Sequence, residues 1–285
     1  MTGEVTEKDR AEVAETRAGA AEDAAVEPRE QIASVRDVDA GGVPCRFYSP
    51  TEPRGVLLYF HGGGFVYGDL DTHDAHCRRM VNRSGWAVLA VHYRRAPEHA
   101  FPAAVDDAEQ VADWLLTEAQ GRHRLVVGGD SAGANLALTV ALRHPDRFVG
   151  QLLVYPFLDP SCDSYDRSVP DPDFGMEDLV WFWRMYLQGQ GAAGDLRADP
   201  LLAASYAGLP PALLQLAELD VLTPPGRLLA DRLAGDGVPT DVVVYPGVGH
   251  GFWRHDDNDQ GEPALADVAR FLRRFEPPAA GTGPS

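Results

Sequence analysis

RLVVGGDSAGANLALTVALRH, residues 124–144, decides how the rest of the chain is read. RLVVGG (124–129) is a short apolar run ending in two glycines, the texture of a strand buried on both faces. SAGANLALTVALRH (131–144) then recurs at helical spacing. The junction is Gly129-Asp130-Ser131-Ala132-Gly133, a G-x-S-x-G pentad in the strand–turn–helix setting where a serine can be presented as a nucleophile. Such a turn strains the backbone of the serine, and only small neighbours let strand and helix close on it. Ser131 would stand clear of the sheet at a helix N-terminus, where negative charge is favoured. The plainer alternative is a serine capping a glycine-rich turn. Asp130 beside it reads as a local structural carboxylate.

Upstream, GVLLYF (55–60) is another buried-strand run, and His61-Gly62-Gly63-Gly64-Phe65 follows it directly. Attack by a serine on a carbonyl creates an oxyanion that needs preorganised N–H donors, and glycines let the backbone approach that atom. Gly63 and Gly64 are the candidate donors, together with Ala132. His61 is expected to hold the loop in place. A tight turn with no other role is the alternative.

Downstream, a base and its orienting acid are needed, in the chain order serine, acid, histidine. The histidines after Ser131 are His144, His250 and His255. His144 ends the nucleophile's own helix, and His255 sits in the acidic run HDDND. His250 lies in PGVGHGF, after the strand DVVVYP, and is the candidate base. Asp220, following ALLQLAEL (212–219), is the candidate acid. Glu218 is its rival, turned aside by strand alternation.

Outward from these motifs, strand-like and helix-like segments alternate. Strands are expected at 32–38, 43–48, 55–60, 86–93, 124–129, 148–156, 212–219 and 241–246, and helices at 102–119, 131–144, 223–237 and 264–275. Alternation implies right-handed βαβ crossovers and a mostly parallel sheet covered on both faces, an α/β class. Residues 157–210 break the rhythm. They open with Asp159, Pro160, Asp163, Asp166, Asp171, Pro172 and Asp173 and continue into an aromatic helix, DLVWFWRMYL (178–187). An insertion this long suggests a cover over a site. Phe65, Trp181, Phe182 and Tyr186 are candidates to line its inner face, as is Trp183; packing against the core is an equal alternative. The acidic stretch would disfavour anionic ligands or simply be a solvated face.

Composition excludes several classes. The chain has 285 residues and a net charge of −18, with one lysine. A surface this acidic argues against nucleic acid and anionic membranes as partners. No apolar run approaches the roughly 18 residues that span a bilayer. The N-terminal stretch MTGEVTEKDRAEVAETRAGAAEDAAVEPRE is acidic and carries no hydrophobic core of a signal peptide, so a cytoplasmic location is expected. Cys45, Cys77 and Cys162 have no metal-ligand spacing and read as buried structural thiols.

The ordered set HGGGFVYGDLDTHD (61–74), YRRAPEHAFPAAVDD (93–107), GGDSAGANLA (128–137), the Asp220 turn and GHGF (249–252) resembles the hormone-sensitive-lipase-like carboxylesterases. The resemblance spans residues 30 to 275. It implies an eight-stranded α/β-hydrolase core, a helical cap from residues 1–30 and 157–207, and hydrolysis of short- to medium-chain esters without metal or cofactor. The core would comprise 31–156 and 208–276, with a disordered tail at 277–285. Two features depart from the pattern: the usual DPLRDE around the acid reads Asp220-Val221-Leu222-Thr223-Pro224-Pro225, and the N-terminal arm, expected as a short polar helix or a mobile arm, is unusually polar. Rival readings are an acyltransferase, a tailoring enzyme for one natural product, and a non-catalytic ligand-binding protein. Oligomeric state is open, a homodimer included.

Overall fold

Val56–Phe60 shows why the centre of the molecule is a sheet. Its five residues are all buried, but Leu57 and Tyr59 join one apolar cluster and Val56, Leu58 and Phe60 another, as the two-residue period of a strand requires. The same split recurs in Leu125–Asp130, where Val126 faces one side and Leu125 and Val127 the other. A strand buried on both faces needs helices on both, and these are present.

The computed structural model describes residues 4–121, 124–169, 174–190, 194–254 and 258–276. In chain order the elements are α1 (Glu7–Val26), β1 (Ser34–Ala40), β2 (Val43–Ser49), β3 (Val56–Phe60), α2 (Asp74–Ser84), β4 (Ala87–Val91), α3 (Ala103–Ala119), β5 (Leu125–Asp130), α4 (Ala132–Arg143), β6 (Gly150–Val154), α5 (Met176–Leu187), a 3₁₀ turn (Pro200–Leu202), β7 (Ala212–Ala217), α6 (Thr223–Gly235), β8 (Thr240–Tyr245) and α7 (Gly261–Arg273). The eight strands form one sheet in the order β1-β2-β4-β3-β5-β6-β7-β8. β2 pairs antiparallel with β1 and with β4, and all other pairs are parallel. Residues of α2 and α7 pack on one face, residues of α3, α4 and α6 on the other.

Strand order reverses at β3: the next strand in sequence, β4, lies to one side and β5 to the other. Loops leaving β3 and β5 therefore diverge at adjacent carboxyl ends, the place where an open parallel sheet makes its crevice. HGGG leaves β3 and the serine turn leaves β5.

The expected alternation is present, with shifted ends. Asp220 lies in the turn after β7, which stops at Ala217, because Glu218 and Leu219 turn away to bond the backbone of Tyr245 and Val248. Helix α2 was not anticipated, its Asp, Arg and Asn hiding the apolar stripe of Cys77, Met80 and Val81. The N-terminal arm is a docked helix, with Val13 buried. Asp171, Pro172, Asp173, His255 and the 277–285 tail lie outside the described residues.

Candidate active site

Ser131 sits between β5 and α4 with φ 54° and ψ −118°, a conformation costly for any residue with a Cβ. Close packing around the turn holds it there. A Cβ on Gly133 would lie 1.9 Å from the Phe60 carbonyl oxygen, and one on Gly129 2.4 Å from the Gly133 carbonyl carbon. The turn is also tied to β6: the Ser131 N–H donates to the Val154 carbonyl at 2.9 Å, and the Ser131 carbonyl accepts from Phe157 N–H at 3.1 Å. The two glycines thus let three backbone segments converge on one point.

Three loops then bring the candidate residues together. His250 Nε2 lies 3.0 Å from Ser131 Oγ, and His250 Nδ1 lies 2.8 Å from Asp220 Oδ2. A carboxylate can only accept, so Nδ1 carries the hydrogen and Nε2 is left as an acceptor facing the serine hydroxyl. Asp220 is 0% exposed, and its other oxygen accepts from Leu222 N–H at 2.8 Å. The variant turn Asp220–Pro225 therefore keeps the carboxylate aimed. Thr223 completes it, its N–H donating to the Asp220 carbonyl at 3.0 Å. Glu218, the rival acid, is exposed and accepts from Gly247 N–H at 2.8 Å, bracing the turn that leads to His250. His144 lies apart, near Asp113.

Beside the serine, Gly63 and Gly64 adopt φ of 113° and 60°. Among the described residues no protein acceptor takes the N–H of Gly63, Gly64 or Ala132. A Cβ on Gly63 would come 2.4 Å from the Tyr67 carbonyl oxygen, so glycine is required there on two counts. The loop is held from beneath by Asp130, which accepts from Gly62 N–H at 2.8 Å and from the Tyr59 hydroxyl. His61 stacks on Tyr93 at 4.3 Å between ring centroids, donates from Nδ1 to the Gly62 carbonyl at 2.8 Å, and has its own carbonyl bound by the Tyr93 hydroxyl. Burial pushes the His61 imidazole down to about 3, so it is neutral near pH 7 and serves the loop as a fixed wedge.

The five aromatic candidates divide. Phe65 and Tyr186 are fully buried and stacked on each other at 3.8 Å, behind the glycine loop. Trp183 is likewise buried, stacked on Phe157. Phe182 lies directly over Gly64, where an added Cβ would meet its ring at 2.1 Å. Trp181 stacks on Tyr67 and donates from Nε1 to Asp9 Oδ1 at 2.9 Å, joining α5 to α1. Sequence reasoning missed two further rings. Phe174 lies parallel to the His250 imidazole at 4.4 Å and 19°, and Tyr155, with φ 32°, meets the same imidazole tilted by 59° at 4.6 Å. The acidic run concealed Phe174, and nothing in a strand's sequence marks the residue that leaves it at positive φ. Asp159 turns inward onto Ser161 and Ser164. Among the described residues no group of three His, Cys, Asp or Glu side chains is placed to hold a metal ion, and no helix is long and apolar enough to cross a membrane.

Residues 57–254 match a family model described as the alpha/beta hydrolase fold. The chain is 37% identical over 231 residues to the carboxylic ester hydrolase LipN of Mycobacterium tuberculosis, covering 75% of this chain and 61% of that protein. It is 36% identical over 235 residues to an ethyl acetate hydrolase of Pseudomonas putida, covering 76% and 73%. Among solved structures, an esterase of Pyrobaculum calidifontis superposes with a TM-score of 0.82 at 34% identity, over 92% of each chain. The fold and the relatives define an α/β hydrolase. Within that class the chain belongs to the hormone-sensitive-lipase-like branch, whose relatives here are carboxylic ester hydrolases.

Proposed function

We propose that the chain hydrolyses short- to medium-chain carboxylic esters through Ser131, His250 and Asp220. The observation that carries this reading is the unbroken contact from Asp220 through His250 to Ser131, at 2.8 and 3.0 Å. His250 Nε2 takes the Ser131 proton as Oγ attacks the ester carbonyl. The developing oxyanion is held by the N–H groups of Gly63, Gly64 and Ala132, which have no other protein acceptor among the described residues. His250 then gives its proton to the departing alcohol. Water, deprotonated by the same nitrogen, attacks the acyl-enzyme and releases the acid and free Ser131. Asp220 stays ionised and keeps the imidazole in the required tautomer.

In this reading residues 1–30 and 157–207 act together as a cap, supported by the ion pair of Asp9 with Arg184 at 2.6 Å. The proposal includes a cytoplasmic location, consistent with three buried free cysteines; oligomeric state stays open, a homodimer included, and light scattering would read it. Hydrolysis of p-nitrophenyl esters from acetate to dodecanoate, by wild type and by Ser131→Ala, tests the function. Wild-type turnover of the short esters, with a loss of about 10³-fold or more in the variant, is expected. A folded wild type that is inert across the series sinks the reading.

A further inference from the structure

Once Ser131 has attacked, the alkoxide oxygen that leaves must take its proton from His250 Nε2, so that oxygen comes within about 3 Å of the imidazole edge. Whatever flanks the imidazole therefore flanks the alcohol half of the ester. Tyr155 is 1% exposed and is fixed at the end of β6 by its N–H bond to the Gln215 carbonyl at 2.7 Å. Phe174 covers a face of the imidazole, its ring at 4.4 Å and within 19° of parallel. It is half-buried and belongs to the insertion, not to the sheet. Of the two walls, Tyr155 is rigid and Phe174 is the one a substrate can meet or displace.

Phe174 is also part of a continuous aromatic wall. It contacts Phe182 at 6.0 Å, and Phe182 lies over Gly64 at the oxyanion end of the site. Trp181 meets Phe182 edge-on at 5.1 Å and is anchored through Asp9 to α1. The wall thus spans the site from the base to the glycine loop, with Phe174 at the end where the alcohol departs.

We propose that Phe174 is a specificity-determining residue that limits the bulk of the alcohol group, while leaving the choice of acyl chain to other parts of the site. The inference rests on the Ser131–His250–Asp220 reading.

Two substrate series measured by pH-stat, on wild type, Phe174→Ala and Phe174→Trp, test it. One series varies the alcohol at constant acyl group: ethyl, cyclohexyl, benzyl and 1-naphthylmethyl acetates. The other varies the acyl chain at constant alcohol: ethyl acetate to ethyl octanoate. Phe174→Ala is expected to raise the ratio of kcat/KM for 1-naphthylmethyl acetate over ethyl acetate about tenfold, and Phe174→Trp to lower it. The shape of the acyl profile should hold within about twofold in both. An acyl profile that moves while the alcohol ratio stays constant overturns the proposal, as does a ratio that moves in neither variant. If Phe174→Ala does not fold, Phe174→Trp decides alone by the direction of its ratio. Fluorophosphonate labelling of Ser131 separates this failure from that of the underlying reading. A protein that labels, turns over ethyl acetate and ignores Phe174 keeps its triad and loses the inference. A folded wild type that neither labels nor hydrolyses any ester loses both.

Discussion

Ser131, Asp220 and His250 are carried by loops that leave the parallel strands β5, β7 and β8, and each loop is held by backbone contacts: Ser131 to Val154, Asp220 to Thr223, Leu219 to Val248. The segments that reach the site from outside, α1 and the insertion, add many side-chain contacts to a few backbone bonds such as Phe101 N–H to the Tyr186 carbonyl at 2.8 Å. Asp9 binds Arg184 and Trp181, Arg17 binds the carbonyls of Val66 and Ala96, and a row of rings runs from Tyr67 to Phe174. Backbone contacts tolerate no change of position, because a peptide group cannot move without its strand. Side-chain contacts can slide by a rotamer at modest cost. The geometry of the candidate triad therefore resides in the sheet edge, and adaptable shape resides in the two outer segments.

Glycine-to-alanine substitutions break this comparison most sharply. Gly133→Ala places its Cβ 1.9 Å from the Phe60 carbonyl oxygen, between two segments of backbone. Its cost should be about 3 kcal/mol or more, seen as loss of soluble folded protein or a large drop in denaturation midpoint, and no change in the insertion should relieve it. Gly64→Ala has a clash of similar depth, 2.1 Å, but against the Phe182 ring. Adding Phe182→Ala should relieve most of it, leaving about 1 kcal/mol of left-handed backbone strain at φ 60°. Equal rescue of both glycine variants, or of neither, would mean that the two regions do not differ in this way.

A smaller effect probes the floor of the glycine loop. His61 is buried and held neutral, with its pKa depressed to about 3 against an ordinary value near 6.5. The unfolded chain takes up a proton below pH ~6.5 that the folded chain refuses until near pH 3. The stabilisation is thus complete above ~6.5 and is lost as pH falls through this window, at up to about 1.4 kcal/mol per pH unit. Chemical denaturation at pH 7.5, 6 and 5 should show a shallower pH dependence in His61→Asn, which keeps a donor for the Gly62 carbonyl. An identical slope in wild type and variant would mean that His61 is not kept neutral by the fold.

The same division explains what could be read from the chain. The sheet edge is legible because its constraints act over a few residues: Gly129 and Gly133 permit the turn at Ser131, and three glycines after Phe60 free the N–H groups of Gly63 and Gly64. Each strand's apolar run marks where its loop begins, so Asp220 and His250 could be placed at the correct ends. Contacts of the outer segments join residues far apart, Asp9 with Arg184 and Phe174 with His250, and no local pattern records such pairings. Helix α1 was ambiguous for that reason: its apolar stripe is thin, and its place is set by Asp9, Val13 and Arg17 meeting partners from other regions. Phe65 and Tyr186 carry the same lesson. Their aromatic character was visible, but only the fold reveals that they stack on each other in the interior.

The smallest effect is expected at the junction of the two outer segments. Asp9 accepts from Trp181 Nε1 at 2.9 Å and Arg184 Nη2 at 2.6 Å through one oxygen, and from Thr6 N–H at 2.8 Å through the other. The Arg184 guanidinium holds its carboxyl well below the usual carboxylate range. The contribution is present above about pH 4 and fades as pH falls below it. Asp9 is buried and Arg184 partly covered, but Asn keeps part of the hydrogen bonding, so the loss is about 1 kcal/mol, a fall of about 2 °C in Tm for Asp9→Asn. Because Asn retains an acceptor for Trp181 but loses the charge that holds Arg184, proteolysis within α1 should accelerate while the p-nitrophenyl acetate rate changes less than about twofold. Should Asp9→Asn instead slow acetate hydrolysis as strongly as Ser131→Ala, the outer segments would be part of the reaction geometry, and the separation between sheet edge and cover would fail.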